Sequence, residues 1–186
     1  MKIVAILGSP RAKSNSTALA RTILSTAADK GAETSEFLLN KLAYKGCQAC
    51  ETCKTKLDHC VLKDDLTKAL EAIKEADAVI LTSPNYFGEV SGQFKAFFDR
   101  TYSFLNADFT SRLKPGKSFV FIFAQGQPSL EAYTDVYARY EMWLTRYGFS
   151  QKHLLRMNGP RPADSVSQRP DLLEEARKIG EALVSL

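Results

Sequence analysis

The four cysteines of this chain fall within fourteen residues: Cys47-Gln48-Ala49-Cys50-Glu51-Thr52-Cys53, then Cys60 after six more. Thiolates are soft metal ligands. Where thiols stay reduced, such a cluster reads as a metal site rather than as two disulfides. A second group of reactive types lies in Gly8-Ser9-Pro10-Arg11-Ala12-Lys13-Ser14-Asn15-Ser16-Thr17. It offers hydroxyls at Ser9, Ser14, Ser16 and Thr17, the Asn15 amide and the Arg11 guanidinium, and it runs into a predicted helix start. Free N–H groups and the helix dipole favour an anion there, so a terminal phosphate fits. The Gly-Lys-Ser/Thr ending of a Walker loop and the Gly-x-Gly-x-x-Gly fingerprint are both absent. A plain capped helix is the competing reading. A third group, Pro84-Asn85-Tyr86-Phe87-Gly88, places two aromatics at a loop tip, where aromatics have something flat to cover. The alternative is that Tyr86 and Phe87 fold back onto the core. Gln125 and Gly126 follow a strand and could approach a ring edge through their backbone. His59 reads as solvent-exposed and His153 as structural in a buried strand. No Ser/His/Asp set or paired acid and base is present, so chemistry would belong to a cofactor.

These groups need elements to hold them. Ile3 to Leu7 is a continuous apolar run, as in a strand buried on both faces of a parallel sheet. Further strands are predicted at Glu33 to Leu39, Asp77 to Ser83, Lys117 to Ala124 and Gln151 to Asn158. Helical spacing of apolar residues predicts helices at Asn15 to Asp29, Asp64 to Ala76, Ser91 to about Leu105 and Ser129 to about Tyr147. A last helix follows a Pro-rich connector, Gly159 to Pro170. Asp64 or Asp65 is placed to cap the second helix. Alternating strands and helices give right-handed βαβ units. Five strands fit a flavodoxin-like, doubly wound α/β parallel sheet of order 2-1-3-4-5 with helices on both faces. Its ligand sits beyond the carboxyl ends of strands one, three and four, which is where the second, third and fourth groups fall. We expect one domain over residues 1–186 with a cysteine-rich insertion at about 46–60.

Composition narrows the class. The chain has 186 residues, is 45% hydrophobic and 25% charged, and carries a net charge of +4. That is ordinary for a globular domain and excludes a disordered chain. The apolar runs stop far short of the roughly 18–20 residues a bilayer needs, so no membrane partner is expected. The basic excess is small and scattered, which argues against nucleic acid. The first residues read as a strand ending in a loop rather than as a secretory signal, so a cytoplasmic location is expected.

The pairing of Gly8-Ser9-Pro10-Arg11 and Ser14-Asn15-Ser16-Thr17 with Ser83-Pro84-Asn85-Tyr86-Phe87-Gly88 and Ser91-Gly92-Gln93-Phe94-Lys95-Ala96-Phe97-Phe98-Asp99-Arg100 resembles the NADPH-dependent FMN reductase superfamily. Within it the chain is similar to the iron–sulfur flavoproteins, relatives of the multimeric flavodoxin-like quinone reductases. The resemblance covers about the first 130 residues. It implies FMN, with its phosphate at the first loop and its isoalloxazine against Pro84 to Gly88. The cysteine segment sets the subgroup. Four ligands in one short stretch favour iron–sulfur over structural zinc, which draws pairs from separated knuckles. The resemblance implies a [4Fe–4S] cluster at Cys47, Cys50, Cys53 and Cys60. Related reductases keep some of these cysteines as plain thiols, which is the competing reading. Lys54, Lys56, Asp58 and His59 are polar enough to suggest an exposed cluster. The leading expectation is an FMN-dependent oxidoreductase passing electrons between flavin and cluster. The alternatives are a cluster-free NAD(P)H-dependent FMN or quinone reductase and a non-catalytic electron carrier. Expected partners are NAD(P)H, a quinone or a ferredoxin-like protein, and a second copy of the chain in a homodimer or homotetramer.

Overall fold

The computed structural model describes residues 1–159, 162 and 165–185. Five strands, β1 (Lys2–Leu7), β2 (Glu33–Leu38), β3 (Ala78–Pro84), β4 (Lys117–Ala124) and β5 (Phe149–Met157), form one sheet in the order β2-β1-β3-β4-β5. Every neighbouring pair is parallel. Among the described residues six α-helices accompany them: α1 (Asn15–Asp29), α2 (Thr52–Thr55), α3 (Leu66–Glu75), α4 (Gly92–Arg100), α5 (Thr134–Arg146) and α6 (Pro170–Val184). This is the expected flavodoxin-like architecture.

The pleat of the central strands explains the two layers. Ile3, Ala5 and Leu7 point to one face with Ile80 and Ile122, where α1 and α6 cover them through Leu19, Ile23, Leu172 and Ile179. Val4 and Ile6 point to the other with Leu81, Phe119, Phe121 and Phe123, under α3, α4 and α5. Residues on both faces are buried, so β1, β3 and β4 carry the continuous apolar stretches 3–7, 78–81 and 119–124. Among the described residues no helix is long and apolar enough to cross a membrane.

Several expected boundaries move. The helix expected from Ser129 begins at Thr134, because Tyr133 adopts a left-handed conformation (φ 64°) at its N-cap. The one expected to run to Leu105 stops at Arg100 and tightens into a 3-10 turn over Thr101–Phe104. β5 starts at Phe149 and lies at the sheet edge, so His153 is half-buried rather than buried. A short helix, α2, forms inside the cysteine segment between left-handed Glu51 and Lys56. Of the expected connector 159–170, residues 160, 161, 163 and 164 lie outside the described residues, and Ser165–Gln168 form a 3-10 turn.

Candidate functional site

The loops after β1, β3 and β4 enclose a cavity of about 710 Å³, within the usual range for a cofactor pocket. Ser9, Arg11, Ser14, Asn15 and Ser16 line it from the first loop, Pro84, Asn85, Tyr86 and Phe87 from the second, and Gln125 and Gly126 from the third. Thr17 and Gly88 stand outside the lining. Thr17 is buried in the first turn of α1, its N–H directed to Ser14 Oγ at 3.5 Å. Gly88 (φ 80°) backs the tip of the aromatic loop, near Tyr133.

The first loop is polar and braced. Ser14 is the N-cap of α1, and its hydroxyl lies 3.1 Å from that of Ser16. Ser9 Oγ accepts the Arg11 N–H at 3.3 Å. Gly8 lets this loop sit against β3: its N–H donates to Thr82 O at 2.9 Å, and a Cβ there would lie 2.5 Å from that oxygen. Ser91 caps α4 and donates through Oγ to Gly8 O at 2.6 Å, tying the first two loops together. Asn15 lines the cavity but its side chain is also engaged on the far side of the loop. Its amide donates to Pro162 O and Ser165 Oγ at 3.1 and 3.0 Å and accepts from the Val166 N–H. The side chain therefore braces the connector, a role set by residues about 150 positions away.

The second loop is held open. Asn85 Oδ1 accepts the Gly88 N–H at 3.1 Å, and Tyr86 and Glu89 exchange backbone hydrogen bonds of 2.8 and 3.1 Å. Phe87 adopts φ 53°, a left-handed conformation uncommon for a bulky residue. It is 110% exposed and Tyr86 40%, so neither folds back onto the core. Glu89 fixes the loop to α5 by ion-pairing with Arg139 at 2.7 Å and accepting the Tyr140 hydroxyl at 3.2 Å. Burial alone would raise the Glu89 carboxyl, but the Val90 N–H and Arg139 outweigh it and hold it below the usual carboxylate range. Asn85 Nδ2 is buried beside the cavity and has no partner among the described residues. Oδ1 is committed to Gly88, so the unpartnered atom of this amide is the donor.

At the third loop Gln125 turns inward. Its Nε2 donates to Gln127 O and Ser129 O at 3.1 and 2.7 Å, while Arg156 of β5 donates to its Oε1 at 2.8 Å. Tyr133 and Met157 also line the cavity. No sequence signal marked them, because each arrives from the far end of a loop or an edge strand.

The cysteine segment forms a second centre. All four cysteines are free, Cys47 and Cys50 exposed, Cys60 half-buried and Cys53 buried, and all four line one small cavity of about 20 Å³. Hydrogen bonds from Thr52 lower the Cys50 thiol; burial raises that of Cys53, opposed by Lys54. Lys54 folds back onto the end of the segment after α4. Its ammonium lies 3.8 Å from the centre of the Tyr102 ring and donates to Tyr102 O and Leu105 O, both at 2.5 Å. Arg112 donates to Cys53 O at 2.8 Å. Sequence reasoning missed Arg100, whose buried guanidinium donates to Cys60 Sγ at 3.0 Å. The available signal was a cation three positions after Phe97 on an apolar helix stripe. Among the described residues no three His, Cys, Asp or Glu side chains are gathered tightly enough to hold a metal ion. Neutral thiols have little reason to converge, since thiolate ligands form as protons leave on metal binding. Four thiols on one cavity beside three cations nonetheless match the donor type and charge of a tetrathiolate centre.

The family model of NADPH-dependent FMN reductase matches residues 1–145. An iron-sulfur flavoprotein of Methanocaldococcus jannaschii is 42% identical over 101 residues, 54% of this chain and 52% of that protein. One from Archaeoglobus fulgidus is 34% identical over 128 residues, 69% of this chain and 57% of that protein. The chain thus spans about half the length of the curated relatives it matches. An FMN-dependent NADH-azoreductase from Bacillus anthracis, solved with FMN, superposes with a TM-score of 0.76 at 14% identity, covering 98% of this chain and 99% of that one. An NAD(P)H:quinone oxidoreductase from Methanothermobacter marburgensis gives 0.76 at 20% identity, covering 98% and 96%. At such identities the likeness speaks to the fold, while the family match rests on sequence: this chain belongs to the NADPH-dependent FMN reductase family.

Proposed function

We propose that the chain is an FMN-dependent oxidoreductase that passes electrons between its flavin and a [4Fe–4S] cluster held by Cys47, Cys50, Cys53 and Cys60. The observation that carries the flavin half is the unpartnered Asn85 amide, buried beside a cavity whose other end is a hydroxyl-rich helix start. FMN offers what each end lacks: ring carbonyls for the amide and a phosphate for the loop. Ser9, Ser14, Ser16 and Arg11 would hold the phosphate. Pro84 to Phe87, with Gln125 and Gly126, would border the ring and exclude water from it. FMN would supply two-electron chemistry toward NAD(P)H and one-electron chemistry toward the cluster. Glu89, through Arg139 and Tyr140, keeps the aromatic loop in place for that contact. A quinone or a ferredoxin-like protein is the acceptor class proposed, and a homodimer or homotetramer the assembly, with the cysteine and aromatic loops near the subunit boundary.

A cluster-free reductase is the second reading, favoured by the ungathered thiols. Iron analysis after anaerobic reconstitution separates the two. The proposal expects about four irons per chain beside one FMN, with iron lost and FMN retained in Cys50→Ala and Cys53→Ala. Protein that stays iron-free, with four freely titrating thiols and undiminished NAD(P)H turnover, is the cluster-free enzyme.

A further inference from the structure

Arg100 ends α4 with a side chain that is 0% exposed. A buried cation costs several kcal/mol unless it is paired and fully hydrogen-bonded, and here every N–H is used. Nε donates to Cys60 Sγ at 3.0 Å. Nη1 donates to Lys45 O at 2.7 Å and Asp64 Oδ2 at 2.8 Å. Nη2 donates to Leu62 O and Asp64 Oδ1, both at 3.3 Å. All five acceptors belong to residues 45–64, the two ends of the cysteine segment. Asp64 completes the tie by accepting the Lys45 and Leu66 N–H groups at 3.3 and 3.2 Å. The Cys53 side is anchored separately by Arg112 and Lys54. None of these anchors lines the cavity assigned to FMN.

We infer that Arg100 is the positioning residue of the cysteine centre: it closes the loop at its base and fixes Cys60 in register with Cys47, Cys50 and Cys53. The inference rests on reading this loop as the cluster site. The geometry demands arginine. A lysine has three donors on one atom and cannot span Cys60, Asp64 and two carbonyls on different sides. Because Cys53 has its own anchors, losing Arg100 should loosen the two ends of the segment, near Lys45 and near Cys60, and spare the stretch around Cys53.

The test uses FMN-loaded, cluster-free wild type and the variants Arg100→Lys and Arg100→Met. Hydrogen exchange is followed over residues 43–46, 52–57 and 60–66, with FMN stoichiometry and iron uptake measured alongside. In wild type the backbone amides of Lys45 and Leu66 are expected to be protected. In Arg100→Lys, residues 43–46 and 60–66 lose protection, while 52–57 and FMN content hold. Iron affinity falls about 10–100-fold, the usual cost of losing an outer-sphere partner. Free exchange across 60–66 in wild type, or wild-type protection and iron affinity in Arg100→Lys, overturns the inference. Loss of FMN in both variants also overturns it, because Arg100 would then be a general core residue. Wild type that binds no iron but shows the expected exchange pattern refutes the cluster reading and leaves the closing role of Arg100 standing.

Discussion

Asn85 is where the cofactor reading can be broken most cleanly. Its Oδ1 accepts the Gly88 N–H at 3.1 Å, while its Nδ2 is buried without a partner. A buried unsatisfied donor costs about 1–3 kcal/mol, and a neutral hydrogen bond returns about 1 kcal/mol. In Asn85→Ala the apoprotein loses the Gly88 bond but is also relieved of the orphan donor, so its stability should hold or rise by up to about 2 kcal/mol. FMN binding loses the donor the ring would have satisfied, so affinity should fall by about 1–3 kcal/mol, or roughly 5–150-fold. Asn85→Asp is the sharper probe. It keeps an acceptor for Gly88 but replaces the donor with a second acceptor, turning an attraction into a repulsion, so its loss should exceed that of the alanine variant. The assay is titration of apoprotein with FMN by flavin fluorescence, paired with thermal unfolding of the apoprotein. A variant destabilised as apoprotein but unchanged in FMN affinity would mean that Asn85 only shapes the turn, and the placement of the ring would fall.

Three other outcomes follow from the same geometry. Gly8→Ala puts a methyl 2.5 Å from Thr82 O and 2.9 Å from Phe94 Cβ; it should cost about 1–3 kcal/mol in urea unfolding, and wild-type stability would show that the loop yields freely. Phe87→Ala should leave the apoprotein's stability unchanged, since the ring is fully exposed, yet weaken FMN by about 0.5–1.5 kcal/mol if the ring packs on the flavin; equal affinity in equilibrium dialysis counts against that packing. Burial alone would raise the Asp64 carboxyl, but Arg100 and the Lys45 N–H hold it below the ordinary aspartate value. Its contribution to stability is therefore full above that value and lost as pH falls through the lower folded one, so urea midpoints of Asp64→Asn should fall less steeply with acid than those of wild type, and parallel curves would refute the assignment.

The limits of α1 and β4 are legible in the sequence because the signals are local: Ser14 as a cap before an amphipathic stripe, and an unbroken apolar run from Phe119 to Ala124. Alternating elements imply a doubly wound parallel sheet and the count of five strands fits the order 2-1-3-4-5, which sends the Ser9–Ser16, Pro84–Phe87 and Gln125–Gly126 loops to one edge. What needed the tertiary structure was every role that depends on a partner far along the chain. Asn15 lines the cavity, yet its side chain hydrogen-bonds Pro162, Ser165 and Val166, and the Lys54 ammonium folds onto Tyr102 and Leu105. Arg100 stood in the sequence as one more residue of a helix motif. Only the packing of α4 against residues 45–64 buries its charge, and burial is what obliges each of its donors to find an acceptor there.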